Sequence, residues 1–103
     1  MTDQTDDRHR AAIEKAREDI DRIDGDLVRL LNERAEQVRI IGNAKHRLGE
    51  PVYQPQREEE VFERVIAANP GPLDDGAIRR LFERVVDEAR RLERLVYKDD
   101  EDE

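Results

Sequence analysis

Residues 9–48 read HRAAIEKAREDIDRIDGDLVRLLNERAEQVRIIGNAKHRL, a stretch without proline in which the only glycines are Gly25 and Gly42. Apolar side chains recur at Ile13, Ala16, Ile20, Ile23, Leu27, Leu30, Val38, Ile41 and Leu48. The spacing is mostly three or four, which lines one face of an α-helix and buries it against other helices. At the helical rise this segment makes a rod about 60 Å long. A 12.1 kDa monomer has no core of that length. The rod is therefore expected to pack partly against a second copy of the chain.

Outward from the rod, Gly49, Pro51 and Pro55 break the pattern and fix a connection. A second, shorter helix is expected over 56–68, with Val61, Phe62, Val65 and Ile66 inward. Asn69-Pro70-Gly71-Pro72 stops it. A third helix opens after Asp74 or Asp75, either a good N-cap. It carries Ile78, Leu81, Phe82, Val85, Val86, Ala89, Leu92 and Val96 to about Tyr97. The expected fold is all-α: one very long, one short and one medium helix, forming an intertwined homodimer. Residues 9–97 form the helical domain. Residues 1–8 and 98–103 are expected to be acidic, disordered tails, since their like charges repel and stay solvated.

Composition narrows the function. Of 103 residues, 45% are charged and 36% hydrophobic, and 27 acids outnumber 19 Lys and Arg for a net charge of −8. Phosphate binding needs a cationic field, so nucleic acid is excluded as the main partner. No run of apolar residues is long enough to span a membrane, and the first thirty residues show no signal or transit pattern. The chain has no cysteine, which removes disulfides, thiolate catalysis and Cys-based zinc sites. His9 and His46 lie too far apart for a local metal motif. A cytoplasmic protein without metal or cofactor is expected.

The informative residues are charges on the apolar stripe. Arg34 stands where the seam past Leu30 calls for a hydrophobe, and Lys45 falls between Ile41 and Leu48. Eleven residues separate them, which leaves them about 20° apart in azimuth and about 16 Å apart along the axis. Glu93 follows Phe82, Val86 and Ala89 at seam spacing, and Arg57 and Glu58 lie one turn before Val61 and Phe62. Any one such cation can lay its methylenes on the core and keep its charge in water, or sit in a Lys45–Glu93 or Arg34–Glu58 ion pair. Several inward cations together cost several kcal/mol each to desolvate unless an anion satisfies them. A small dianionic ligand would do so. Arg17 lies about 25 Å from Arg34 and about 100° away in azimuth. It cannot join the same ligand from its own helix, but an antiparallel second copy could bring it there and build two equivalent sites.

These residues also carry a family likeness. Arg17-Glu18-Asp19-Ile20-Asp21-Arg22-Ile23-Asp24, Leu30-Leu31-Asn32-Glu33-Arg34-Ala35 and Ile41-Gly42-Asn43-Ala44-Lys45 resemble the long first helix of the all-helical chorismate mutases. Pro51-Val52-Tyr53-Gln54-Pro55-Gln56-Arg57-Glu58 resembles the start of that family's second helix, and 78–93 its third. The resemblance implies rearrangement of chorismate to prephenate, the committed step toward Phe and Tyr, in an interlocked dimer without cofactor or metal. It implies that Arg17 of the partner copy, Arg34 and Arg57 bind and orient carboxylates. Lys45 corresponds to the cation on the ether oxygen and one carboxylate. Glu58 corresponds to the acceptor for the ring hydroxyl, with the Gln54 backbone beside it, and Glu93 to the group against the ether oxygen.

The sequence departs from the family at two places: Ala89 stands where a hydroxyl is frequent, and Gln54 where an Asp is frequent. A [3,3] rearrangement needs a flexible dianion held in a chair-like conformation and charge stabilised as the carbon–oxygen bond breaks. Arg forks suit carboxylates. An ionised Glu93 would repel a developing oxyanion, so Glu93 is expected to act protonated. Isochorismate pyruvate lyase on the same scaffold, a non-catalytic helical dimerisation or regulatory module, and a mutase dependent on a partner enzyme of the aromatic pathway remain open alternatives.

Overall fold

The computed structural model describes residues 2–101, with side chains described over 3–97. The element order is α1 (Thr2–Leu48), α2 (Pro55–Ala67) and α3 (Asp75–Glu101). Among the described residues there is no strand. The expected all-α class and the long, short and medium helices are all present. Both outer helices run further than expected: 2–8 continue α1, and α3 passes Tyr97 to reach Glu101. Residues 1–24 contain neither glycine nor proline, so nothing local halts the helix on its polar side. Residues 1, 102 and 103 of the expected tails lie outside the described residues.

The chain divides into two units, Met1–Arg34 and Ala35–Glu103. In the first unit the apolar stripe of α1 is uncovered: Ile13, Ile20, Ile23, Leu27 and Leu30 are each about half exposed. Local pairs support the helix, with Lys15 Nζ 3.1 Å from Asp19 Oδ1 and Arg29 Nη1 3.1 Å from Glu33 Oε1. Such i,i+4 pairs contribute about 0.2–0.5 kcal/mol each. An isolated helix in water needs more than that.

The second unit holds the core, which is small. Val38 of α1, Phe62 of α2 and Val86 of α3 are its buried hydrophobic residues. Val61, Val65, Ile66, Phe82, Val85 and Leu92 flank them, half-buried. Ile41, Leu48 and Leu81, which the periodicity places on the seam, remain exposed within the protomer. Arg79 ties α2 to α3, its Cζ 4.6 Å from the Phe62 ring centre and its Nη2 3.2 Å from Glu59 Oε2.

Each junction has a local cause. Gly49, at φ 72°, ends α1 in the left-handed conformation that a side chain resists. Its N–H donates to His46 O at 3.2 Å, and the Glu50 N–H donates to Lys45 O at 2.9 Å. This is a Schellman closure of the last turn. Gln54 is the N-cap of α2 without a side-chain cap, followed by Pro55 in the first turn, where the missing N–H costs nothing. Asp74 caps α3, its Oδ1 accepting from the Ala77 N–H at 2.7 Å. Asn69 organises the α2–α3 connection, donating to Leu73 O (2.8 Å) and Asp75 Oδ1 (2.9 Å) and accepting from the Gly71 N–H (3.1 Å).

Candidate active site

The polar centre of the second unit is an ammonium–carboxylate pair between α1 and α3. Lys45 Nζ lies 3.0 Å from Glu93 Oε2 and 3.4 Å from Oε1, and donates to the Val52 carbonyl at 3.1 Å. The two side chains are 12% and 10% exposed. Desolvating such a pair costs several kcal/mol per ion, so a buried ion pair is a poor source of net stability. Its presence asks for a reason other than folding.

Gly42 sets the approach. It is buried, and a β-carbon there would stand 3.4 Å from Glu93 Cγ and 3.6 Å from its Cα. One turn later, Lys45 reaches across the gap that the missing side chain opens. Tyr97, one turn beyond Glu93, donates its hydroxyl to Glu50 O and meets the His46 ring edge-on with centroids 4.6 Å apart. Burial raises the Tyr97 phenol above its ordinary range, and the Glu93 and Glu50 carboxylates add to the shift.

The start of α2 supplies a second group. Glu58 is half-buried, and its backbone N–H donates to Gln54 O at 3.2 Å. Its Oε2 lies 3.1 Å from Arg90 Nε. Ala89 is half-buried one turn before Glu93, on the same face of α3.

The expected site residues thus divide. Lys45 and Glu93 face each other as the seam argument requires, and Gln54, Glu58 and Ala89 belong to the same unit. Arg57 stays on the protomer surface, 3.4 Å from Glu60, rather than on the inward arc. It helps line an open cavity of about 520 Å³ with Pro51, Tyr53, Gln54 and Pro55, which neither Lys45 nor Glu93 lines. Arg17 is exposed and Arg34 half-buried, both on the first unit. The sequence reading missed Arg90, although its place four residues after Val86 and three before Glu93 marks it as another charge on the seam. It also missed the role of Gly42. Among the described residues no group of three or more His, Cys, Asp or Glu is placed to hold a metal ion, and no helix is long and apolar enough to cross a membrane.

Fold and cluster together define an all-α protein built around a buried Lys–Glu pair. Residues 16–94 match the family model described as chorismate mutase type II. The chain is 40% identical to a chorismate mutase (form II) from Thermus thermophilus, with a TM-score of 0.78 over 80% of this chain and 93% of that one. Form I of the same enzyme gives 0.72 at 40% identity, over 75% and 96% of the two chains. Among curated proteins it is 44% identical over 75 residues to the bifunctional chorismate mutase/prephenate dehydratase of Neisseria gonorrhoeae, covering 73% of this chain and 20% of that protein. The bifunctional protein of the same description from Aquifex aeolicus is 32% identical over 88 residues, 82% of this chain and 24% of its own length. The chain belongs to the type II chorismate mutase family. It spans about a fifth to a quarter of the length of the curated relatives it matches.

Proposed function

We propose that the protein catalyses the intramolecular [3,3] rearrangement of chorismate to prephenate. The observation that carries this reading is the buried Lys45–Glu93 pair on the helices where the family likeness assigns the ether-oxygen groups. The reaction forms one carbon–carbon bond as one carbon–oxygen bond breaks, so it asks for conformational restraint and charge stabilisation rather than a nucleophile. Lys45 places positive charge on the ether oxygen as negative charge builds there. An interaction that strengthens only in the transition state raises turnover rather than binding alone. Glu93, carrying a proton, donates to the same oxygen. Glu58 accepts from the ring hydroxyl, while Arg34, Arg57 and the partner copy's Arg17 hold the carboxylates.

This assignment requires a homodimer. The half-exposed stripe Ile13, Ile20, Ile23, Leu27 and Leu30 supports it, because apolar surface of that extent on one helix calls for a partner face. A two-fold pairing gives two equivalent sites.

The test is loss of chorismate absorbance with purified protein, with the product identified. Prephenate supports the mutase. Pyruvate released from isochorismate, with chorismate untouched, replaces it with the lyase. A folded dimer inert to both is a non-catalytic module or depends on another enzyme.

A further inference from the structure

Arg90 has no part in the assignments above, yet it touches the residue to which they give the substrate's ring hydroxyl. Its Nε is 3.1 Å from Glu58 Oε2, with side chains 30% and 19% exposed. That Nε has essentially no accessible surface and no aligned hydrogen-bond partner among the described residues. The carboxylate therefore sits at charge-contact distance but off the N–H direction. At the other end of the guanidinium, Nη2 donates to Asp87 one turn earlier on α3. Its Cζ lies over the Tyr53 ring, 5.3 Å from the centroid.

We propose that Arg90 is a positioning residue that aims the Glu58 carboxylate at the substrate's ring hydroxyl, a role that rests on the mutase reading. The Glu58 backbone is already fixed by its hydrogen bond to Gln54 O, which leaves side-chain rotation as the remaining freedom. Attraction to Arg90 draws the carboxylate toward α3, the helix that also carries Ala89 and Glu93. Arg90 itself is held on three sides, by Glu58, Asp87 and Tyr53, so it offers a rigid planar charge where a lysine would offer a mobile one. Without it, the half-buried Glu58 would lose the α3 cation it lies against, and turning outward to water would relieve that cost. Because Nε is not aligned on the carboxylate, Glu58 keeps acceptor capacity for an incoming hydroxyl while its direction is set. Contrast Arg79, whose Nη1 and Nη2 both hydrogen-bond to the Glu59 carboxylate. That is a tie between helices.

The test compares kcat/KM for chorismate and for an analogue lacking the ring hydroxyl. Arg90→Gln is expected to lose about tenfold or more with chorismate, the scale of one hydrogen bond to a charged group, and little with the analogue. Arg90→Lys should fall between, and it carries the same comparison if the glutamine variant folds poorly. Glu58→Ala should show the same hydroxyl-dependent loss, with no further loss on adding Arg90→Gln. Equal losses on both substrates, or losses that add to those of Glu58→Ala, would make Arg90 a structural tie and overturn the proposal. A wild type inert to chorismate would instead defeat the mutase reading on which it stands.

Discussion

Glu93 packs its Cγ 3.4 Å from the point where a β-carbon on Gly42 would stand. The contact is just wide enough for one methyl group and no more. Gly42→Ala is expected to keep the fold and hold or raise the melting temperature, since alanine gains about 1 kcal/mol of helix propensity over glycine. Gly42→Leu should push α3 away and cost about 1–3 kcal/mol by overpacking. Thermal unfolding of the two variants, with turnover measured in parallel, checks both signs.

Lys45 and Glu93 should behave as a unit in stability but not in catalysis. Removing one partner, as in Lys45→Met, leaves a buried unpaired charge and is expected to cost about 3–5 kcal/mol. The double variant Lys45→Met/Glu93→Leu should recover most of that loss while remaining inactive. Denaturant unfolding of the single and double variants gives the coupling. Full activity in the double variant would remove the pair from the reaction.

Both Glu93 oxygens face the Lys45 ammonium, and the proposed chemistry asks position 93 for a hydrogen-bond donor to the ether oxygen. An amide supplies one, so Glu93→Gln is expected to keep kcat for chorismate within about tenfold of wild type, while Glu93→Ala should lose more than that, the scale of one hydrogen bond to a charged group. Equal turnover in the two folded variants would take Glu93 out of the role.

The assignment of Arg17 to the opposite site can be checked by complementation. Arg17→Ala and Lys45→Ala, each inactive alone, should restore activity when mixed under subunit exchange. Half the dimers are then mixed, each with one intact site, giving about a quarter of wild-type turnover. Zero recovery despite mass-spectrometric proof of exchange would place Arg17 outside the site.

Tyr97 offers a pH test independent of turnover. Its phenol is held above the ordinary range by burial and by the neighbouring Glu93 and Glu50 charges. The folded protein therefore keeps that proton at pH values where the unfolded chain has lost it. Its contribution to stability is complete below the unfolded tyrosine value and disappears as pH rises through the folded one. Alkaline difference absorbance of wild type and Tyr97→Phe should show the missing late-titrating phenol. The variant should lose less stability between neutral and strongly alkaline pH.

Much of this architecture is legible in the order of residues alone. The three-four spacing from Ile13 to Leu48 gives the long helix, Gly49 its end, and Asp74 the start of α3, because caps and breakers act within a turn of themselves. Lys45 and Glu93 are legible as charges on an apolar seam. Which cation meets which carboxylate is not, since that depends on how helices cross, and azimuth on one helix carries no such information. Glu58 lies against Arg90, a partner on another helix that periodicity along α2 does not name. Arg57 shares the inward arc in projection, yet a long side chain in the first turn of a helix reaches solvent and Glu60 more cheaply. Residues 2–8 show the converse: charge argues for a tail, but no residue there forbids continuing the turn already begun.

One residue clasps the α1–α2 connection at two points. The Lys45 carbonyl receives the Glu50 N–H, and its ammonium reaches the Val52 carbonyl two residues on. An insertion between Glu50 and Val52 would have to release one of these, and with it the placement of the pair at Glu93. The α2–α3 connection is different, because the ties of Asn69 to Gly71, Leu73 and Asp75 are all internal to that turn and its helix start. Lineages and protein engineers that lengthen this scaffold, graft a tag into it or permute its termini should find the second turn permissive and the first closed to change.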